Sequence, residues 1–155
     1  MGYIDQNLLP DERILFRTKK HIIIFFLPLM WTIFSIFAVG YMETNPFLVK
    51  INWLPGLVAL IFWSSTFIEY LTSDFAVTNK RILMREGLLY RHTNETRLST
   101  ISQVNVMQSL LGQWLNYGGI VVNAFGAYDA FSMIDKPFQF QKAVNEQLDH
   151  LVRGA

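Results

Sequence analysis

Four cations, Lys80, Arg81, Arg85 and Arg91, crowd one short stretch of the chain. Side chains of this kind hold phosphate-bearing lipid headgroups or an acidic partner, each contributing about 1 kcal/mol beside an anionic bilayer. Trp114 and Tyr117 offer a second chemistry, an aromatic contact with an apolar face and a polar edge, although packing beneath a short helix is the first expectation for Trp114. Little else invites chemistry. The chain has no cysteine, which removes disulfides, thiolate nucleophiles and thiolate metal sites. His21, His92 and His150 stand far apart and form no close pair such as His-x-x-x-His, so no metal is expected. No Ser-His-Asp set, paired carboxylates, P-loop or GxGxxG pattern is present, so no catalytic residue, no cofactor and no enzymatic activity are expected. Lys and Arg number 13 against 12 Asp and Glu, a net charge of +1. That balance carries no electrostatic footprint for nucleic acid.

The elements that position these groups begin with two uncharged runs. Between His21 and Glu43 lie 21 residues without a formal charge, and between Lys50 and Glu69 another 18. As helices they would cover about 31 Å and about 27 Å, against a hydrocarbon core of about 30 Å. Ile22-Ile23-Ile24-Phe25-Phe26-Leu27 shows no polar stripe of the kind a soluble core helix carries. The sequence therefore predicts two transmembrane helices, spans of about 22–42 and 51–70, forming a hairpin over residues 21–71. A cleavable signal peptide fits poorly, because the first run exceeds the usual h-region and Tyr41-Met42-Glu43-Thr44 offers no small-x-small site. Arg13, Arg17, Lys19 and Lys20 precede the first run and Lys80, Arg81 and Arg85 follow the second. Only Lys50 lies between the two runs, so both termini are expected in the cytoplasm. Ser64, Ser65 and Thr66 read equally as a helix-packing surface or as hydroxyls bonded back to their own helix. Glu69, close to the polar exit at Thr72, is expected to reach the headgroups.

After Thr72 the pattern changes to short alternating runs broken by turns. Phe75 and Val77 alternate with Asp74, Ala76 and Thr78. Asn79-Lys80 makes a polar turn into Arg81-Ile82-Leu83-Met84-Arg85, and Glu86-Gly87 makes another before Leu88-Leu89-Tyr90-Arg91. His92 to Thr96 reads as a polar loop, followed by strand candidates at Arg97-Leu98 and Gln103 to Met107. Ser109 to Leu115 reads as one or two helical turns, with strands from Ile120 to Phe125 and Ala130 to Ile134. Pro137 opens a helix over 137–152, with a stripe of Phe138, Phe140, Ala143, Val144, Leu148 and Leu151. Residues 72–155 are thus expected to form a β-rich module, a small barrel or sandwich, covered by this helix. Residues 1–20 form an N-terminal cytoplasmic segment whose alternation from Glu12 to Thr18 predicts an extra strand at the module's edge.

Several blocks also carry a family likeness. Leu8-Leu9-Pro10-x-Glu12 with Phe16-Arg17-Thr18, then Val77-Thr78-Asn79-Lys80-Arg81-Ile82 and Gly87-Leu88-Leu89, then Ile101-x-Gln103-Val104 and Gln108-Ser109-Leu110-Leu111-Gly112, resemble the bacterial PH-domain membrane proteins. That resemblance covers nearly the whole chain. It implies a membrane protein of the α+β class, with two transmembrane helices (a hairpin) plus a cytoplasmic PH-like split β-barrel capped by a C-terminal helix, in the bacterial inner membrane. It brings no catalytic residues. On this reading Thr78-Asn79 serve a turn and Lys80 and Arg81 face the nearby membrane. The expected function is a membrane-anchored interaction module, a scaffold or accessory subunit of a membrane complex, with an anionic-lipid headgroup sensor as the alternative. Its expected partners are the lipid bilayer and a protein partner or a second copy of the chain.

Overall fold

A computed structural model describes Ile4, residues 7–87 and residues 92–153. The chain divides into two compact units, one made of residues 1–21 and 72–155 and the other of residues 22–71.

The second unit is a pair of helices, α1 (Phe26–Glu43, preceded by a 3₁₀ turn at Ile22–Phe25) and α2 (Leu54–Thr72). Helical segments Ile22–Glu43 and Val49–Thr72, with mean hydropathies of 2.5 and 1.5, are long and apolar enough to cross a bilayer. Only 11% and 17% of the two apolar windows is buried, so both helices turn most of their apolar surface outward instead of into a protein core. What joins them is small and polar. Ser35 is buried and its Oγ donates to the carbonyls of Trp31 (2.8 Å) and Pro55 (3.0 Å), and Trp63 Nε1 donates to Thr32 Oγ1 at 2.9 Å. Ser64 and Ser65 bond back to the carbonyls of Leu60 and Phe62, while Thr66, with Pro28, Pro55 and Ala59, is buried.

The first unit is α+β, with two antiparallel sheets. One has the order β1 (Ile14–Thr18), β2 (Asp74–Thr78), β3 (Arg81–Glu86), β4 (His92–Arg97), and the other the order β5 (Ile101–Met107), β6 (Tyr117–Ala124), β7 (Ala127–Asp135). The two apolar helices therefore interrupt the sheet between its first two strands, which still pair from Ile14↔Thr78 to Thr18↔Phe75. A short helix, α3 (Leu110–Leu115), joins β5 to β6, and α4 (Pro137–Arg153) closes the unit.

Alternation decides the core. Phe75, Val77, Ile82 and Met84 point into one cluster with Leu98, Val104, Ile120, Val122, Phe131 and Ile134, and from α4 come Phe140 and Val144. Each large apolar side chain buried this way is worth about 1.5–3 kcal/mol. On the other face of β2 and β3, Ala76 and Leu83 are covered by Ile4, Leu8 and Ile14. Both faces of β2 are thus shielded, so all five of its residues are buried. Two expectations change. His92 to Thr96, read as a loop, belongs to β4, because β3 supplies a partner for every residue from Arg81↔Arg97 to Glu86↔His92 and the ladder overrides weak strand propensity. Phe138 and Leu151 leave the apolar stripe, 56% and 46% exposed; Pro137 takes the buried position at the helix start, and Leu151 lies in the last turn of α4. The expected strand Leu88-Leu89-Tyr90-Arg91 lies outside the described residues.

Candidate functional site

The cations come first. Asn79-Lys80 turns β2 into β3, at the end of β2 remote from Thr72, where α2 ends; a five-residue strand spans about 17 Å. At that turn the N-terminal segment is clasped by β2 and β3. Glu12, buried, accepts from Thr78 Oγ1 (2.8 Å), from Arg81 Nε (2.9 Å) and from the Leu9 N–H (2.7 Å). Arg81 also donates to the Asn7 carbonyl at 2.8 Å and pairs with Glu95. Lys80 Nζ donates to the Pro10 carbonyl at 2.7 Å, Asn79 Nδ2 to the Asp11 carbonyl at 3.1 Å, and the Arg13 N–H to Asn79 Oδ1 at 2.9 Å.

Burial pushes the Glu12 carboxyl up, but hydrogen bonds from Arg81, the Leu9 N–H and Thr78 outweigh it and hold the pKa below the ordinary 4.5. The same pairing raises Arg81. Of the residues expected to contact lipid or an acidic partner, Arg81 is thus engaged by two carboxylates and Lys80 ties down the N-terminal segment. Arg85 lies four residues along β3, half-buried, level with Asp74 and Thr93. Arg91 lies outside the described residues. Four residues of β3, about 13 Å along the strand, separate Arg81 from Arg85. Glu12, the hub of the clasp, was visible in the sequence only within Pro10-x-Glu12 and the alternation from Glu12 to Thr18, because nothing local marks its long-range partners.

The opposite end of the unit is where the chain passes into the apolar helices. Arg17 pairs with Asp74 (Nε to Oδ1 2.9 Å), and Lys20 Nζ lies 3.4 Å from Glu86 Oε1. Lys20 bridges to Ile134, the His21 N–H donates to the Met133 carbonyl at 2.6 Å, and the Asp135 N–H donates to the Lys19 carbonyl at 3.0 Å. His21 stacks on Tyr117, with ring centroids 5.2 Å apart and planes 23° apart.

Tyr117 directly follows α3 and its cap. Ser109 caps the helix, accepting from the Gly112 N–H at 3.1 Å, and Asn116 ends it in the left-handed conformation (φ 59°). Gln108 Nε2 donates to the Tyr117 carbonyl at 3.0 Å. A Cβ on Gly112 would sit 2.5 Å from the Tyr117 carbonyl oxygen, so only glycine permits this approach. Trp114, expected beneath the helix, is 84% exposed instead, because a six-residue helix held by its caps and Gly112 turns one side to the sheet and the other outward. Val106, Gln108, Gln113, Asn116 and Phe138 line a shallow cleft of about 510 Å³ beside α3.

A third feature is the turn joining β6 to β7. Phe125 (φ 47°) and Gly126 (φ 84°) both have positive φ, which suits Asn-Gly and strains a bulky aromatic residue. Phe125 is 86% exposed and Tyr128 beside it 72%. Among the described residues no group of three or more His, Cys, Asp or Glu is placed to hold a metal ion.

Comparison with known proteins adds a family. A family model described as bacterial PH domain matches residues 21–148. A crystal structure of a DUF1696 family protein with a pleckstrin-homology domain from Shewanella loihica PV-4 is similar at 9% identity and a TM-score of 0.45, covering 94% of this chain and 89% of that one. No curated protein matches the chain.

Proposed function

Because the chain belongs to the bacterial PH-domain family, we propose that it is a membrane-anchored interaction module, a scaffold or accessory subunit whose PH-like unit binds a protein partner or a second copy of itself. On this reading the two apolar helices cross the bacterial inner membrane and both termini lie in the cytoplasm. The observation that carries the reading is Phe125. A bulky side chain held at φ 47° on a turn tip and 86% exposed has a strain that a partner's apolar pocket would explain. Tyr128, paired with Asn123 in the same hairpin, is a second exposed aromatic residue. The headgroup-sensor alternative draws less support, because Arg81 is engaged by Glu12 and Glu95 and Lys80 by Pro10.

The test is purification of the full chain in mild detergent followed by mass determination of the native complex. A stoichiometric second subunit or a defined oligomer is expected. Phe125→Asn should release it while leaving the fold intact and unfolding at the same or a higher temperature, since Asn accepts positive φ. A chain that runs as a lone monomer, or an Asn variant that keeps its complex, would overturn the reading. Retention of an anionic lipid that is lost on Lys80→Gln with Arg85→Gln would favour the alternative.

A further inference from the structure

Between Arg97 and Asp129 the chain has no charged side chain and no histidine, although this stretch supplies two strands and α3. At its centre Leu110 is 85% exposed, Leu111 64% and Trp114 84%, with Met107 on the preceding strand 67%. The local fold uses the neighbours of these residues and not the residues themselves. Gln108 holds the Tyr117 carbonyl, Ser109 caps the helix, Gly112 allows the close approach and Asn116 ends the turn. Leu110, Leu111 and Trp114 are left as an outward apolar cap on a rigid turn.

Its position says what covers it. Tyr117 stacks on His21, and His21 is bonded to Ile22, the first residue of the first bilayer-length run. The Lys136 N–H donates to the Asn116 carbonyl at 3.0 Å and the Asp135 N–H to the Lys19 carbonyl, so exposed Lys136 stands at the α3 cap and exposed Lys19 beside the end of β7, both at the end of the unit from which the chain departs. We propose that α3 docks into the same leaflet that the first helix enters. Leu110, Leu111 and Trp114 sit in the interfacial zone, and Lys19 and Lys136 lie level with the headgroup phosphates. The inference rests on the reading that the two apolar helices span the membrane.

The chemistry matches a lipid surface better than a protein one. Tryptophan is favoured at the headgroup boundary, leucines enter the acyl region at no cost in paired charge, and lysines snorkel to phosphate. A protein contact draws its register from a polar rim that discriminates partners. α3 itself carries no charged side chain to pair with a partner's, and the exposed cations near it, Lys19 and Lys136, are of one sign, as an anionic surface asks; a bilayer needs no register. The consequence is a third membrane contact that fixes the PH-like unit against the leaflet and leaves the Phe125 tip, at the far end of β6, directed away from it. Eight residues of strand separate the two by about 27 Å.

The chain lacks cysteine, so single-cysteine variants report cleanly. Leu111→Cys, Leu110→Cys, Phe125→Cys and, in the first span, Phe37→Cys would each be labelled with an environment-sensitive nitrobenzoxadiazole dye in the full chain. Each labelled chain would then be reconstituted into vesicles of phosphatidylethanolamine and phosphatidylglycerol containing a nitroxide-labelled lipid. At positions 37, 110 and 111 the expected result is blue-shifted emission quenched severalfold by the nitroxide, and at 125 water-like emission with little quenching. If position 37 is quenched but 110 and 111 behave like 125, α3 is not at the bilayer and the inference falls while the spanning reading stands; protection of 110 and 111 only when a purified protein partner is added has the same meaning. If position 37 is also water-like, both fall together.

Discussion

Glu12 shows how one carboxylate can organise a surface that looks basic in the sequence. Its side chain is fully buried, and Arg81, Thr78 and the Leu9 N–H converge on its two oxygens. Replacing one partner of such a buried pair leaves the other charge poorly compensated, so Glu12→Gln is expected to destabilise the unit by about 2 kcal/mol, read as a lower unfolding temperature in detergent. The folded carboxyl has a pKa below its ordinary 4.5. Its stabilising share is therefore present above about pH 4.5 and is lost as pH falls through the lower folded value. Unfolding midpoints measured from pH 7 down to pH 3 should fall less steeply for Glu12→Gln than for the parent chain; parallel curves would mean that this carboxylate is not what the clasp depends on.

At the level of elements, two glycines and one strand carry the argument. A Cβ at Gly112 would meet the Tyr117 carbonyl oxygen at 2.5 Å, and one at Gly118 would meet the Met107 carbonyl oxygen at 2.7 Å. Both contacts are to backbone, which cannot swing aside, so Gly118→Ala is expected to cost about 1–3 kcal/mol and loosen the β5–β6 connection. Faster amide exchange across Met107 to Ile120 than in the parent would report it. β1 is the second case. It pairs with β2, and Phe16 meets Phe140 of α4 edge to face at 6.3 Å. Deleting residues 1–18 removes that pairing together with the clasp, and limited proteolysis should then cut within β2 or α4 at protease levels the full chain withstands.

For the molecule as a whole, the expected topology can be read with the same cysteine-free background. Thr44→Cys, between the two apolar helices, should react with an impermeant thiol reagent in intact cells, while Ser132→Cys, exposed on β7, should react only after lysis; the reverse pattern would invert the topology. Much of this organisation was legible along the chain because its causes are local. Uncharged runs of 21 and 18 residues announce two long apolar helices by length and composition alone. Phe75 and Val77 declare a strand by their alternation, and Pro137 marks where a helix begins. The family blocks were equally readable, since they are contiguous strings. Other features depended on partners distant in sequence. His92 to Arg97 is polar and strand-poor by itself, and only the ladder to β3 makes it β4. Glu12 and Arg81 stand 69 residues apart, with both apolar helices between them, so no spacing rule could turn a basic turn into a closed ion pair. Trp114 points outward because Gly112 and the caps of α3 press its other side to β6, a matter of contact geometry and not of composition. Sequence alone therefore determined the membrane-length helices, the alternating strands and the family, but not β4, because hydropathy and periodicity are properties of neighbours. Tertiary structure alone decided which charges are already engaged and which apolar side chains remain outward, because burial and pairing exist only once remote segments meet.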